Sequence, residues 1–531
     1  MLKCKYWSWF TALFWAATIL LVAPVRFLSG TISQILKYSG SFILLFVFLR
    51  VLVHLVERYQ PPPVTPVERR HQRLIFALST LFCLMIWLGY GVIFYPGLIS
   101  WDFYIQWFEM TGKIPFADWH PVFHTLCMWL VTRIWYSPAM ISLVQIITLS
   151  LVVGMVARRL FTLNSPLWIV LMLVGFYGLF PLNGFYVVSL WKDIGYSIAF
   201  LWLVVLTLDV VSSKGRVLGG TGFRIAFLTA LCCVAMMRHN GIVPAFGTIL
   251  IFLAVYHRRY LKPLLLLLIS LTALILIYRG PVMDQLKVDK RSKNILKAHL
   301  PIQHIGAFLN VSNSLTREDK EFLNHIIPVS YWKRAYNPCS CMPLIFGKNP
   351  KGGHYLDGEF LKRDENYQRL LKIWAGEAIR HPLAIAGYHL KGSELLWRVH
   401  IPYKPFVIPD EDLVEEDLYS GYKPSPRLLE RVGPTGRFLI HLINNLPTGW
   451  FLHRGALYFW IGLFSVNLII LRTRKPVILI VAAPMLLQAL TVAAFPLVQN
   501  TRFMFPIILT APLFVGLIFS STLEDQFLVD G

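Results

Sequence analysis

The sequence predicts an all-α polytopic membrane protein with about 12 transmembrane helices, and three observations lead to this prediction. Of its 531 residues, 56% are hydrophobic, which is a composition typical of membrane proteins. Apolar runs of about 20 residues recur, and a helix needs that length to cross the hydrocarbon of a bilayer. Lysine and arginine collect in alternate short loops, as they do in loops on the cytoplasmic side.

Residues 1–279 form the N-terminal transmembrane region in this prediction. Its basic loops, such as Arg58 to Arg73 and the pair Arg158-Arg159, are assigned to the cytoplasm. With Lys3 and Lys5 also inside, helix 74–95 runs outward, and the alternation places both termini in the cytoplasm. The predicted helices are 9–28, 40–56, 74–95, 138–157, 166–184, 195–211, 225–237, 242–256 and 263–278.

Residues 95–137 are predicted to be an outer loop that carries catalytic groups. Within it, segment 121–136 is apolar but short, starts with Pro121 and contains Arg133. We therefore assign this segment as a juxtamembrane or re-entrant helix. A full crossing here would move Arg158-Arg159 to the outer side and invert every later loop.

Residues 280–449 contain no persuasive spanning run and are rich in charge, proline and aromatic residues. They are predicted to form an external α or α/β domain between the ninth and tenth transmembrane helices. The acidic run from Asp410 to Asp417 is interpreted as a solvated surface, because no calcium-loop signature accompanies it. Region 450–531 completes the chain with the predicted transmembrane helices 455–471, 476–496 and 504–520.

The net charge of +22 would suggest a nucleic-acid partner in a soluble protein. Basic cytoplasmic loops explain the charge better here, and no nucleic-acid recognition fold is visible, so no nucleic-acid partner is predicted. Most of the seven cysteines lie in or beside apolar runs. Cys339 and Cys341 lack further Cys or His residues at zinc spacing, and a disulfide between them would require an oxidising compartment.

Six polar clusters interrupt the apolar segments, and the counted crossings place all of them on the outer side. Charged and amide side chains at membrane depth are costly unless they face a cavity or one another. Their shared side therefore predicts one site at one membrane face. The clusters are Ser100-Trp101-Asp102, Asp118-Trp119-His120-Pro121, Lys192-Asp193, Arg238-His239-Asn240, Pro301-Ile302-Gln303-His304 and Asn500-Thr501-Arg502.

The outer loop supplies the candidate acid–base groups. Asp102, flanked by aromatic residues just beyond a helix, suits a general base, although Ser100 and Asp102 both also suit a helix N-cap. Asp118 and His120 are candidates for a base with its partner or for ligands of a divalent cation. The alternative for them is a turn before a proline-started helix, with His124 at the wet interface.

The other clusters are candidates for substrate contact, each with a structural alternative. Lys192 suits a lipid phosphate with Asp193 positioning it, or the two form a local ion pair. A polar junction between short helices is a common membrane binding site or a simple interfacial turn. Arg502 is either a phosphate clamp or a snorkelling side chain. The residues of the polar junction between short helices are Arg238, His239 and Asn240. Gln303 and His304 are candidates for contact with a sugar or an acceptor; the alternative for them is a buried polar anchor.

The positions Asp102, His120-Pro121, Lys192-Asp193, Arg238 and Arg502 resemble the pattern of the GT-C class of integral membrane glycosyltransferases. A closer resemblance is to the DUF6020-like bacterial membrane proteins, and it spans roughly residues 90–310 plus the last outer turn. The motifs that carry it are Tyr95-Pro96-Gly97, Ser100-Trp101-Asp102, Gln106, Asp118-Trp119-His120-Pro121, Lys192-Asp193, Arg238-His239-Asn240-Gly241 and Pro301-Ile302-Gln303-His304.

The GT-C resemblance implies a membrane glycosyltransferase that moves a hexosyl or pentosyl group from a polyprenyl-phosphate donor. The acceptor would be a glycan, lipid or protein of the cell envelope, at the outer face of a bacterial inner membrane. Asp118 or Asp193 is a candidate ligand for Mg²⁺ or Mn²⁺, although cationic side chains can act without a metal. Two alternatives stay open: a transporter or flippase of lipid-linked sugars, and a non-catalytic subunit of a cell-envelope complex.

Overall fold

The structure is a computed structural model, and it describes residues 9–18, 32–59, 66–290, 292–312, 314–399, 430–445 and 453–521. Within these ranges the chain is helical, and the extended segments form only isolated bridges, not strands. Seven helices are long and apolar enough to cross a membrane, or eight if one bent pair counts as a single span. The prediction of an all-helical fold is confirmed over the described residues, and the long apolar helices are compatible with a membrane protein; the number of about 12 crossings stays a prediction.

The helices of the N-terminal region agree with the predicted apolar segments. The predicted helix 9–28 is described only over 9–18, where it is helical and is labelled α1. The others are α2 (Ile32–Arg58), α3 (Arg69–Ile93), α4 (Trp101–Met110), α5 (Val122–Val131), α6 (Pro138–Thr162), α7 (Leu167–Leu179), α8 (Pro181–Val187), α9 (Lys192–Ser212), α10 (Thr221–Met237) and α11 (Ile242–Ile277).

Helix α5 has only 10 residues, which is about 15 Å of helix and half of a bilayer's hydrocarbon thickness. The assignment of segment 121–136 as a helix that does not cross therefore agrees with its length. The predicted helix 166–184 is the bent pair α7 and α8, whose axes differ by 54°. Pro181 begins α8 and cannot continue the hydrogen-bond ladder of α7, which explains the break.

Helix α11 contains two of the predicted crossings, 242–256 and 263–278, and a sharp kink at Tyr260 separates them. Its 36 residues would extend about 54 Å if the helix were straight. Instead, His239 before its first residue and Tyr278 after its last line the same cavity. The two arms therefore fold back on each other at Tyr260, as the prediction of an inner turn there requires.

The basic turns meet at the end of the bundle opposite the predicted site. Arg159 forms an ion pair with Asp209 at 2.7 Å and a hydrogen bond with Ser212, near the end of α9. Arg472 donates to the carbonyl groups of Ile518 and Ser520. Asp193 and Asp209 are separated by about 24 Å along α9, so the acidic groups at its two ends belong to different faces of the bundle.

A second hydrophobic core lies among the helices of residues 292–392, with Trp332, Leu323 and Ile302 fully buried in it. The described part of the predicted external domain is thus helical, as the α alternative expected; the acidic run Asp410 to Asp417 lies outside the described residues. Its helices are α12 (Ser292–Val311), α13 (Arg317–Ile326), α14 (Val329–Ala335), α15 (Met342–Phe346), α16 (Gly358–Lys362), α17 (Asp364–Arg380), α18 (Pro382–Gly392) and α19 (Glu394–Trp397).

The C-terminal helices return to the bundle. They are α20 (Gly433–Asn445), α21 (Gly455–Thr473), α22 (Ile478–Ala494) and α23 (Phe505–Ile518). Helix α23 packs against α9 and α21, and its preceding turn, Thr501–Met504, carries Arg502 to the start of α9. This packing is what allows Arg502 to reach the loop after α3, which the sequence predicts to be an outer loop.

Candidate functional site

Asp102 is the centre of a cluster of charged side chains at one end of the bundle. Lys192 Nζ donates to Asp102 Oδ2 at 3.0 Å, and Arg502 Nη1 donates to the same oxygen at 3.1 Å. Lys192 Nζ also lies 3.2 Å from Nδ1 of His120. Two cations that are distant in sequence therefore meet at one carboxylate, and His120 joins them through Lys192.

Asp193 extends this cluster on the side of α10. Arg238 Nε lies 3.2 Å from Asp193 Oδ1, and Arg502 Nε lies 3.8 Å from Asp193 Oδ2. The Asp193 side chain is 1% exposed, so its charge depends on these two guanidinium groups for compensation. We call Asp102, His120, Lys192, Asp193, Arg238 and Arg502 the charged cluster. The structure brings these six of the predicted site residues together.

Local capping explains how the two most distant members are held. Ser100 caps α4 by accepting a hydrogen bond from the Phe103 backbone N–H at 3.2 Å, so the carboxylate of Asp102 does not serve as the cap. Asn500 likewise accepts from the Arg502 backbone N–H at 3.1 Å. Both caps fix the backbone beside a charged residue and leave its side chain to the cluster.

Aromatic rings hold both guanidinium groups from the side. Arg502 lies over Trp191 and Phe503, with 5.0 Å and 5.2 Å from its guanidinium carbon to the ring centroids. Arg238 lies over Phe503 at 4.8 Å and over Tyr196 at 5.2 Å. Arginine stacks on aromatic faces while its donors remain free to make in-plane hydrogen bonds. The rings thus orient the two arginines.

Asp102 is ionised in this cluster, whereas His120 is neutral. Burial favours the neutral form of Asp102, but Lys192 and Arg502 outweigh it and hold the pKa of Asp102 well below its usual range. Burial, with the charge of Lys192, lowers the pKa of His120 to about 3, so His120 is neutral. Because Lys192 only donates, His120 Nδ1 accepts and Nε2 carries the proton.

The cluster has an excess of positive charge. Three cations, Lys192, Arg238 and Arg502, face two carboxylates, Asp102 and Asp193, while His120 is neutral. Among the described residues, Nη1 of Arg238 and Nε2 of His120 are buried without a hydrogen-bond partner. Two unused donors and one uncompensated positive charge favour an anionic ligand with hydrogen-bond acceptors.

A small pocket adjoins the cluster at Arg238. Its polar lining includes Asp118, His239 and Arg279, and its apolar lining includes Met236 and Ile275. The two ends of the α11 hairpin and the first residues before α5 form its walls. Asp118 and His239 therefore lie beside the charged cluster through a shared cavity, and Asn240 lies in the same turn as His239.

A family model described as a family of unknown function, DUF6020, matches residues 115–382, which is half of the chain. The chain belongs to the DUF6020 family. Neither a curated protein nor a solved structure matches it. The part that matches the family includes the cavity and the cluster residues His120, Lys192, Asp193 and Arg238, whereas Asp102 and Arg502 come from outside it. Segments beyond the family match thus complete the charged cluster of this DUF6020 member.

Gln303 and His304 lie in the second hydrophobic core. Gln303 Nε2 donates to the Ser340 carbonyl at 3.0 Å, and His304 Nδ1 accepts from Trp374 Nε1 at 3.0 Å. No contact in the described residues joins either side chain to the charged cluster. The geometry favours the buried polar anchor over the substrate contact, which stays a prediction.

The described residues contain no group of three His, Cys, Asp or Glu side chains arranged to hold a metal ion. Asp193 faces two arginines, and their positive charge compensates its carboxylate in place of a metal ion. Asp118 lines the cavity opposite Arg238 and Arg279. Mg²⁺ or Mn²⁺ at Asp118 or Asp193 stays a prediction. Cys339 and Cys341 are both free thiols in this structure.

Sequence reasoning missed three residues beside the site. Tyr278 accepts a hydrogen bond from the Phe123 backbone N–H at 2.8 Å, which joins α11 to the start of α5. Arg279 lines the cavity within a π-helical turn, a distortion that is frequent at functional sites. An arginine at a helix end that is predicted to lie outside departs from the positive-inside pattern, and that signal could have identified Arg279.

The third missed residue is Glu109, a buried carboxyl that links α4 to the loop carrying Asp118 and His120. Glu109 Oε1 accepts from the Ala117 backbone N–H at 3.0 Å, and Oε2 accepts from Thr125 at 3.4 Å. Burial raises the pKa of Glu109 to about 7, although these hydrogen bonds partly oppose the shift. The sequence gives no indication that this glutamate, near the end of α4, is buried.

We expect Glu109→Gln to remove a pH dependence of stability. Because the pKa of Glu109 rises from 4.5 unfolded to about 7 folded, the folded protein retains a proton in this range that the unfolded chain releases. Stability of the wild type then falls as pH rises through this window, by up to about 3 kcal/mol. Thermal unfolding in detergent at about pH 5 and about pH 8 measures this. An equal fall for both proteins would contradict the prediction.

Proposed function

We propose that the protein is a GT-C-type glycosyltransferase that moves a sugar from a polyprenyl-phosphate donor to a cell-envelope acceptor. The reaction would take place at the outer face of a bacterial inner membrane, with both termini cytoplasmic. The observation that carries the proposal is the charged cluster, in which Asp102 meets Lys192 and Arg502 at 3.0 and 3.1 Å. Its position at one end of an apolar helix bundle suits a substrate that is part lipid and part sugar.

The proposed donor site combines the cluster with the neighbouring cavity. The donor phosphate would contact Lys192, Arg238 and Arg502. Their three positive charges outnumber the two negative charges of Asp102 and Asp193. Met236, Ile275 and Met283 form the apolar side of the small pocket beside the cluster, and they would contact the first part of a polyprenyl chain. The cations would stabilise the negative charge that develops on the leaving phosphate.

In the proposed reaction, the acceptor hydroxyl oxygen attacks the anomeric carbon of the donor sugar. The bond between that carbon and the phosphate oxygen breaks, and its electron pair stays on the phosphate. The hydroxyl proton passes to the carboxylate of Asp102, which acts as general base. Attack on the face opposite the leaving group inverts the anomeric configuration. His120, as a neutral ring with its proton on Nε2, would orient a sugar or phosphate oxygen as a hydrogen-bond donor.

Donor binding would also activate the base. In the ligand-free cluster Lys192 and Arg502 hold the pKa of Asp102 low, and such a carboxylate is a weak base. A phosphate competes for the same two cations and draws them away from Asp102. The effect of burial on Asp102 then dominates, and its affinity for a proton rises. Proton abstraction from the acceptor hydroxyl would thus follow donor binding.

The test is transfer by the purified protein together with mass spectrometry of envelope glycans from cells with and without the gene. We expect one glycan, lipid or protein to lose a hexosyl or pentosyl group in the deletion strain, and the purified protein to restore it from a polyprenyl-phosphate donor. An EDTA arm decides whether Mg²⁺ or Mn²⁺ takes part. Movement of labelled lipid across proteoliposomes without transfer would contradict the proposal and favour a flippase.

A further inference from the structure

The elbow between α17 and α18 exposes a row of large apolar side chains. Ile379, Leu383 and Leu390 are 83%, 85% and 61% exposed. Leu383, the exposed Ala386 and Leu390 are spaced by three and four residues, so they lie along one face of α18, and Ile379 lies at the end of α17 just before the elbow. We call these four residues the apolar row. Soluble surfaces rarely expose contiguous apolar residues of this size without a partner.

The row ends where α22 ends. His389 Nδ1 donates to the Ala493 carbonyl of α22 at 3.1 Å, and the Tyr388 hydroxyl donates to the Pro496 carbonyl at 3.0 Å. Leu490 and Phe495, on either side of Ala493, are also exposed. Helix α22 is one of the apolar helices of the bundle, and its exposed leucines are suited to acyl chains. Exposed apolar side chains therefore lie on both helices near the place where α18 contacts the end of α22.

The face of α17 that carries Ile379 changes from polar to apolar towards α22. At its far end it exposes Gln368 and Lys372, and towards the elbow it exposes Ala375 and Ile379. Two exposed cations, Arg380 and Lys391, flank the row. An apolar row with cations beside it and a polar continuation is the pattern of a helix that lies in a lipid–water interface.

We propose that the apolar row rests in the lipid headgroup and upper acyl region of the membrane layer where α22 ends. The elbow then fixes the second hydrophobic core at the membrane surface. This core contains Cys341, whose backbone N–H donates to the Leu497 carbonyl, and the neighbouring Ser340 forms a bridge with Val498, just before Arg502. The surface contact would thus help to set the height of the Arg502 turn relative to the lipid. The inference depends on the membrane position of α22 and not on the proposed reaction.

The test places an environment-sensitive NBD dye on a cysteine at position 383, in full-length protein whose native cysteines are replaced. The protein is reconstituted in phosphatidylethanolamine–phosphatidylglycerol vesicles with spin-labelled lipids. We expect blue-shifted emission and several-fold stronger quenching than at position 372, the matched control on the same face of α17. A spin label near the headgroup should quench more strongly than one near the chain end.

Two results would overturn the proposal. Emission at position 383 that is water-like and as weakly quenched as at position 372 would show that the row faces solvent. Blue-shifted emission that no spin-labelled lipid quenches would show that protein, and not lipid, covers the row. Both positions are exposed, so the dye itself should not prevent folding, and a single symmetric peak in size-exclusion chromatography checks this.

Discussion

Asp102→Asn is expected to lower the rate of sugar transfer by about 10²- to 10⁴-fold, the usual contribution of a general base. The amide keeps the size of the side chain and one acceptor oxygen, but it does not accept the hydroxyl proton at neutral pH. The donor should bind as tightly as before or more tightly, because its phosphate no longer competes with a carboxylate for Lys192 and Arg502. The measurement is kcat and KM for a lipid-phosphate-linked sugar with purified protein.

A matched control is Glu359→Gln, which also removes a carboxylate that is ion-paired with a lysine. Glu359 is 82% exposed and pairs with Lys362 at 2.7 Å, in a helix outside the charged cluster. We expect wild-type transfer for this variant, since an exposed ion pair contributes little. Wild-type transfer by folded Asp102→Asn would remove Asp102 from the role of base. A rise in KM with an unchanged kcat would instead give Asp102 a role in binding.

The position of the charged cluster could be predicted from the sequence because membrane topology restricts it. Apolar length and basic loops determine which helix ends share a face, and burial cost then brings polar residues on that face together. Asp102, Lys192 and Arg502 were grouped by this argument, although 400 residues separate the first from the last. Residue pairing within the face, such as Arg238 with Asp193, depends on tertiary packing and was not accessible.

The same argument loses force where the chain leaves the membrane. Gln303 and His304 are predicted on the same side as the cluster, yet both lie beside the second hydrophobic core. Sidedness alone does not distinguish a cluster at a cavity from a polar anchor in a neighbouring core. Glu109 shows the opposite failure, because a lone glutamate near a helix end has no periodic pattern that would indicate its burial.

Arg502→Gln is expected to lower transfer by about 10²- to 10³-fold, as the loss of one donor to a developing negative charge usually does. Arg502 is the residue that contacts both carboxylates, through Nη1 to Asp102 and Nε towards Asp193, and it stacks on Trp191. Arg502→Lys keeps the charge but lacks the planar fork, so we expect it to recover only part of the activity. Arg474→Gln, at an exposed position in the basic turn after α21, is the control.

The double variant Asp102→Asn with Arg502→Gln separates a shared role from two independent ones. If the phosphate takes Arg502 from Asp102 during the reaction, the two residues act as a unit, and the double variant should lose much less than the product of the single losses. Removing both partners also leaves fewer unpaired charges than removing Asp102 alone, so its thermal stability should exceed that of Asp102→Asn. Losses that multiply, in proteins of equal stability, would mean that Arg502 acts on the substrate without controlling Asp102.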